Sequence, residues 1–281
     1  MIEIRSCEDM EELDACVALE IETWGYDETE VIPRKTFLLA QKIGGQVIGA
    51  FDAREQGTKG PRDQGAKTVP AELVGFAMSL PGIKEAGNRA VPYLHSHMLA
   101  VKAGYRNQGI GAQLKREQRR EALARGVRHM EWTFDPLELK NAFLNIHRLG
   151  AIVRSYRPNF YGVSSSRLQA GLPTDRLLAE WELDSPRVAA HLEGHPSAGA
   201  STEVAARIVV PAAIEQWKAN EKDRQRALAV QTENRHRFQQ AFSRGLAVLG
   251  FSRDAEGNGI YELGTPGRDE QVLNAKAAKP L

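Results

Sequence analysis

Two stretches of the 281-residue chain carry residue types and spacings that could do chemistry. His95 and His97 stand two apart in HSHMLAV, a run that reads as a strand. Strand residues i and i+2 project to one face, so both imidazoles can line one cavity. Imidazole titrates near neutral pH and is an apt acceptor for the proton an amine must lose before it attacks a carbonyl, directly or through water. The same pair also fits hydrogen-bonded core histidines, or two ligands of a metal, for which the sequence ties no third ligand to them. Shortly after comes YRNQGIGAQL, where Gly109 and Gly111 let a backbone approach a ligand closely and the start of a helix leaves N–H groups without partners. Those donors, the positive end of the helix dipole and Arg106 suit a phosphate-like anion; a simple tight turn from strand to helix is the other reading. A Walker loop does not fit, because Gly104 and Gly109 are followed by Ile110 and Gly111. A Rossmann fingerprint fails as well, since the segment follows several earlier strands.

The elements that must position these residues alternate between strand and helix. IEIRS alternates like a strand, and DMEELDACVALEIETWG follows as a helix with Asp9 at its N-cap. FLLAQKIGGQVIGAFDA reads as a hairpin folded at Gly44-Gly45, and AELVGFAMSL as a further strand beyond a polar Gly, Lys and Arg-rich loop. YLHSHMLAV is the next strand, GIGAQLKREQRREALARG a helix ending near Gly126, and HMEWTFDP a strand stopped by Pro136. NAFLNIHRLG gives a short helix closed by Gly150, AIVRSYRPNFYG a strand and turn, and LPTDRLLAEWEL another strand. The expected fold is α/β of the α+β type: a mixed, largely antiparallel sheet flanked by helices. A Gly, Pro and Ser-bearing connection follows, which places a boundary near Asp184 and divides the chain into residues 1–183 and a C-terminal α/β extension, 184–281. In the extension ARIVVP reads as a strand, residues 212–249 as helical, GFSRDAEGNGIYELG as a hairpin and the tail as a polar, fraying end. Its expected role is accessory: covering the sheet or making a homo-oligomer contact.

Composition narrows the partners. Thirty-seven Lys and Arg against 36 Asp and Glu leave a formal charge of +1, which argues against nucleic acid or an anionic membrane as partner. The two cysteines, Cys7 and Cys16, form no metal-type cluster and read as reduced core residues. MIEIRSCEDMEE has neither the basic start nor the apolar core of a signal peptide, and no apolar run has membrane-spanning length, so the expectation is a cytoplasmic protein without a metal.

The segment Arg106-Asn107-Gln108-Gly109-Ile110-Gly111, preceded by Leu99-Ala100-Val101, resembles the Arg/Gln-x-x-Gly-x-Gly/Ala loop and preceding strand of the GNAT superfamily of N-acetyltransferases. The likeness extends over residues 1–183. It implies that Arg106 through Ala112 hold the pyrophosphate of acetyl-CoA or another acyl-CoA, and that the backbone at Leu99, Ala100 and Val101 flanks the pantetheine arm and thioester. His95-Ser96-His97-Met98-Leu99-Ala100-Val101 is also similar to the His-x-His-x-Leu-Ala-Val strand of the serotonin (arylalkylamine) N-acetyltransferases, which implies proton removal from the amine by His97 aided by His95. The sequence departs from the family pattern in the helix before Gly150. Alignment on Leu149-Gly150-Ala151 puts Ile146 where a tyrosine often protonates the leaving thiolate and Leu139 where an asparagine is usual, with Asn141 near enough to serve. Tyr156, Tyr161 and His147 are the candidate replacements for that acid, the alternative being a thiolate that leaves without a protein acid. The implied function is N-acyl transfer from a coenzyme A thioester to an amine, on a small molecule or a protein, by direct attack in a ternary complex. The alternative is an acyl-CoA-binding regulatory or interaction protein without turnover.

Overall fold

The structure is a computed structural model that describes residues 1–52, 71–86, 88–195 and 203–267. The polar loop expected from residue 54 and the tail after Gly267 lie outside the described residues. The chain opens with β1 (Ile2–Ser6) and α1 (Met10–Trp24). Asp9 caps α1, its carboxylate accepting the Glu12 N–H at 2.9 Å, and Gly25 ends it in the left-handed region at φ 63°.

The next element corrects the sequence reading: the first arm of the expected hairpin is a helix, α2 (Arg34–Lys42). The apolar run Phe37 to Ala40 splits at helical spacing, with Phe37 and Ala40 buried and Leu39 exposed. A short apolar run is ambiguous by pattern alone, and here packing against α1 decides. Gly44, at φ 97°, and Gly45 then turn the chain into β2 (Gln46–Asp52). A Cβ on Gly45 would lie 2.2 Å from the Ser79 carbonyl oxygen, so the turn tolerates no side chain there.

β3 (Glu72–Ala86) and β4 (Arg89–Val101) form a long hairpin, followed by α3 (Ile110–Ala124), β5 (His129–Phe134) and α4 (Leu139–Ala142). The chain continues from α4 as a wide π-helical turn (Phe143–Arg148) into β6 (Ile152–Arg157) and β7 (Arg176–Glu182). The expected bare connection after β7 contains a helix, α5 (Pro186–Leu192), which Ser185 caps by accepting the Val188 N–H and which Pro186 opens. The C-terminal part adds β8 (Ala206–Val210), α6 (Ile214–Ala219), α7 (Arg224–Ser243), β9 (Ala247–Arg253) and β10 (Gly259–Gly264).

The ten strands of the described residues join one sheet in the order β1-β2-β3-β4-β5-β7-β6-β9-β10-β8. Every pairing is antiparallel except β4 with β5, which run parallel and pair only at Leu94 with Met130 and His95 with Glu131. Alternate residues of β2 and β3 feed two cores on opposite faces. Val47, Phe51, Phe76 and Met78 pack under α1 and α2, while Ile48, Ala50, Val74 and Ala77 pack with Ile110 and Leu114 of α3. The largest core joins Trp132, Trp181 and Val153 to Phe238, Phe251 and Tyr261, so the last three strands and α7 share their interior with β5, β6 and β7.

One ion pair ties α7 to the segment between β6 and β7. Buried Asp175 accepts the Tyr156 hydroxyl at 2.6 Å, the Asn159 N–H at 2.9 Å, and Arg235 Nε and Nη2 at 2.9 and 3.0 Å. Removing one partner of such a buried pair leaves an uncompensated charge. Arg235→Met is expected to lower unfolding stability by about 3 kcal/mol, read from denaturant midpoints.

Candidate functional site

Past His95 and Glu131 the two parallel strands diverge. The opening is the centre of a cavity of about 400 Å³, whose walls include Ser96, His97, Met98 and Leu99 from β4 and Trp132, Thr133 and Phe134 from β5. Glu20 and Trp24 of α1, Lys115 of α3, Asn141 of α4 and the 158–175 loop also line it.

The pairing of β3 with β4 shifts register here: Met78 faces Met98 and Ser79 faces Ser96, so His97 has no opposite residue. This bulge re-aims the strand at the cavity. His97 is open to water yet enclosed by the cavity walls. Burial, with a smaller contribution from His95, pushes its pKa down to about 4 and keeps the ring neutral. His95 shares the face, its ring centroid 6.2 Å from that of His97, but belongs to an ionic group outside the cavity lining. Its Nδ1 lies 3.7 Å from Glu131. Burial would raise the Glu131 carboxyl, but hydrogen bonds from His129, His95 and Lys84 hold it well below the usual range.

The carboxylate of Glu20 is the second reactive feature. The residue is fully buried; Oε1 accepts the Ile32 N–H at 3.0 Å, while Oε2 has no hydrogen-bond partner among the described residues. Burial raises its pKa to about 7, against the opposing Ile32 hydrogen bond. Beside it Trp24 and Tyr26 stack with centroids 5.9 Å apart, and both line the cavity. Glu30 also lines it and accepts the Ser165 N–H at 2.7 Å, bridging the α1–α2 connection to the 158–175 loop.

At the other end of β4, Asn107 (φ 63°) and Gly109 (φ 81°) turn the chain into α3. Among the described residues no side chain caps this helix, and a Cβ on Gly109 would meet nothing within 4 Å. Arg106 Nε donates to the Val101 carbonyl at 3.0 Å, and Gln108 Nε2 to the Gly104 carbonyl at 3.0 Å. The N–H groups of Ile110, Gly111 and Ala112 thus open a 15-residue helix with no competing side chain, an arrangement that fits an anion such as a pyrophosphate. Gly111 lies 3.5 Å, at its would-be Cβ, from Leu99, which links the turn to the cavity wall.

The C-terminal part braces the cavity from behind. Lys218 of α6 donates to Asp135 at 3.0 Å and Glu138 at 2.7 Å, both cavity residues; burial would lower its pKa, but the two carboxylates raise it. Tyr261 of β10 donates to the Pro136 carbonyl at 2.7 Å, and Gln231 of α7 to the Pro173 carbonyl at 2.9 Å.

Of the residues singled out in sequence, His97, Leu99 and Asn141 line the cavity, and 106–112 form the turn at its side. Ala100 is buried under α1 and α2, and Val101 packs with the α3 core. Ile146 and Leu139 are buried in the core, and the wide turn presents Leu144 and Asn145 to the cavity instead. Tyr156 is committed to Asp175, and His147 stacks on Phe143 at 4.5 Å. Tyr161 alone of the three candidate acids reaches the cavity, its hydroxyl 2.8 Å from Thr133 Oγ1. Lys115, Trp132, Asn145 and Arg176 were not anticipated. Lys115 did leave a signal, since positions 111, 115, 118 and 122 recur on one helical face with buried Gln118 and Ala122. Among the described residues no cluster of three His, Cys, Asp or Glu is placed to hold a metal ion, and no helix is long and apolar enough to cross a membrane.

Residues 6–143 match the family model described as the acetyltransferase (GNAT) family. That match covers both the strand with His95 and His97 and the turn at residues 106–112. No curated protein matches the sequence. Similar solved structures include NAA60 of Arabidopsis thaliana in complex with a bisubstrate analogue, at 15% identity and TM-score 0.47, covering 64% of this chain and 98% of that one. The ribosomal-protein-S18-alanine N-acetyltransferase of Escherichia coli is similar at 17% identity and TM-score 0.44, covering 65% and 94%. A GNAT family acetyltransferase of Elizabethkingia anophelis with acetyl-CoA bound is similar at 16% identity and TM-score 0.41, covering 64% and 97%.

Glu20 gives a test of the cavity's electrostatics that needs no ligand. The folded protein keeps this proton to about pH 7, whereas the unfolded chain releases it near the usual 4.5. Its contribution to stability is therefore full below about 4.5 and is lost as pH rises to about 7. Glu20→Gln is expected to remove that fall, seen in denaturant midpoints measured at pH 5 and pH 8.

Proposed function

We propose that the protein is an N-acyltransferase that moves an acyl group from a coenzyme A thioester to an amine. The carrying observation is the cavity opened by the divergence of β4 and β5, with a neutral imidazole on its wall and an uncapped helix N-terminus at its side. In this reading residues 1–183 hold the acyl-CoA and the C-terminal extension supports the cavity walls. The N–H groups at 110–112 and the Arg106 guanidinium hold the pyrophosphate, and Leu99 to Val101 flank the pantetheine. When bound, the thioester supplies the activated carbonyl.

The acceptor enters beside α1, where Glu20, Glu30, Trp24 and Tyr26 make a wall suited to a cationic amine. His97 takes the proton from nitrogen as the N–C bond forms, and His95 passes it outward across a gap that one water can bridge. A base of low pKa suffices, because a nitrogen bonding to a carbonyl carbon becomes far more acidic than a free ammonium. The C–S bond breaks in the same reaction, and the hydroxyl of Tyr161, which lines the cavity, protonates the departing sulfur. No metal takes part.

Two measurements test this reading. Gly109→Asp puts bulk and negative charge at the helix start and is expected to weaken coenzyme A binding by at least about 10-fold in calorimetry; unchanged affinity in a folded variant removes the turn from the site. His97→Gln is expected to lower kcat by about 100-fold with coenzyme A affinity unchanged. Because burial disfavours the imidazolium, the wild-type acid limb assigned to His97 should lie near pH 4, well below the usual 6.5, and vanish in the variant. Tight binding of acetyl-CoA with no thiol release across an amine panel would instead identify a non-catalytic acyl-CoA-binding protein.

A further inference from the structure

The closed end of the cleft holds a lysine without a counter-charge. Lys115 Nζ donates to Ser96 Oγ at 2.6 Å and lies 3.6 Å from the centroid of the Trp132 ring. Ser96 and Trp132 are the first residues of β4 and β5 beyond their last pairing, so the amine sits where the strands begin to part. It is almost wholly buried, lines the cavity, and has no carboxylate partner among the described residues. Ser96 in turn donates to Gln118 Oε1 at 3.0 Å, which fixes its oxygen as the acceptor toward Lys115.

An ammonium offers three donors, and only one acceptor and a ring face await them. Burial drives the amine toward its neutral form, well below its ordinary pKa. A methionine or leucine would fill the same space without that desolvation cost. Lys218, a buried lysine behind the cavity wall, is by contrast matched by two carboxylates. Lys115 is therefore a built site for an anion that the protein does not itself supply.

Resting on the acyltransferase reading above, we infer that Lys115 is the counter-charge for a carboxylate carried by the substrates into the closed end of the cleft. The donor is the favoured source. A thioester entering along Leu99 from the turn at α3 has its acyl group deepest in the cleft, so the far end of a short dicarboxylic acyl chain meets Lys115 and Ser96. The second source is the carboxylate of an amino-acid acceptor. The chemistry is unchanged by the assignment: the N–C bond forms, C–S breaks, the amine proton leaves through His97, and Lys115, taking up a proton from water as the distal carboxylate enters, only pairs with it.

The test compares wild type with Lys115→Met, using succinyl-CoA and acetyl-CoA as donors, each with an α-amino acid and with the amine that lacks its carboxylate. Calorimetry with free coenzyme A serves as control. Wild type should favour the carboxylate-bearing partner, and Lys115→Met should reduce kcat/KM for it by about 100-fold while changing the uncharged counterpart little. A loss that follows succinyl-CoA assigns the donor, and one that follows the amino acid assigns the acceptor. The variant should melt at or above the wild-type temperature, because it removes a buried amine. Equal effects on charged and uncharged partners, or none, overturn the inference while leaving acyl transfer intact. Failure of wild type to bind coenzyme A removes the acyltransferase reading and this inference together.

Discussion

Everything in the site depends on how little β4 and β5 pair. Among the described residues, two residue pairs hold the only parallel contact in the sheet, and past them neither strand has a neighbour on its inner edge. Unpaired backbone inside a sheet is costly unless something covers it. Here the strands part around a cavity, and helices α1, α3 and α4 with one loop form its walls. The bulge at His97 belongs to the same constraint, for it bends β4 away at the point where its partner departs.

A split in the middle of a sheet needs bracing, and the C-terminal part provides it. Lys218 and Tyr261 fasten the turn after β5, while Arg235 and Gln231 fasten the loop before β7. Both fastened segments are cavity walls. The extension contributes no side chain to the reaction proposed, yet it determines where Asp135, Glu138 and the 158–175 loop stand.

Desolvation gives the cavity its chemical character. His97, Glu20 and Lys115 are each shifted toward the neutral form by burial, so the empty cavity carries less charge than its residue types suggest. Neutral groups in such a place respond strongly to a charged ligand, because any ion entering meets a low dielectric and few competing waters.

Much of this was legible in the chain. The strand that carries His95 and His97, the turn at Gly109, the helix after it and the strand ending at Pro136 rest on neighbours two to four residues apart, which period and turn chemistry expose directly. The run FLLA carried no such distinction; a helix and a strand bury it equally well until α1 packs against it. Lys115 shares a helix face with Gln118 and Ala122, but in QLKREQRRE nothing shows that it lacks a counter-charge, and Glu20 looks like one more solvated acid until distant segments close over it. The sequence by itself determined which groups stand on which face, because that is local geometry. Only the tertiary structure decided which of them are protonated, which lack partners and which share a cavity, because burial and charge pairing are properties of residues brought together from far along the chain.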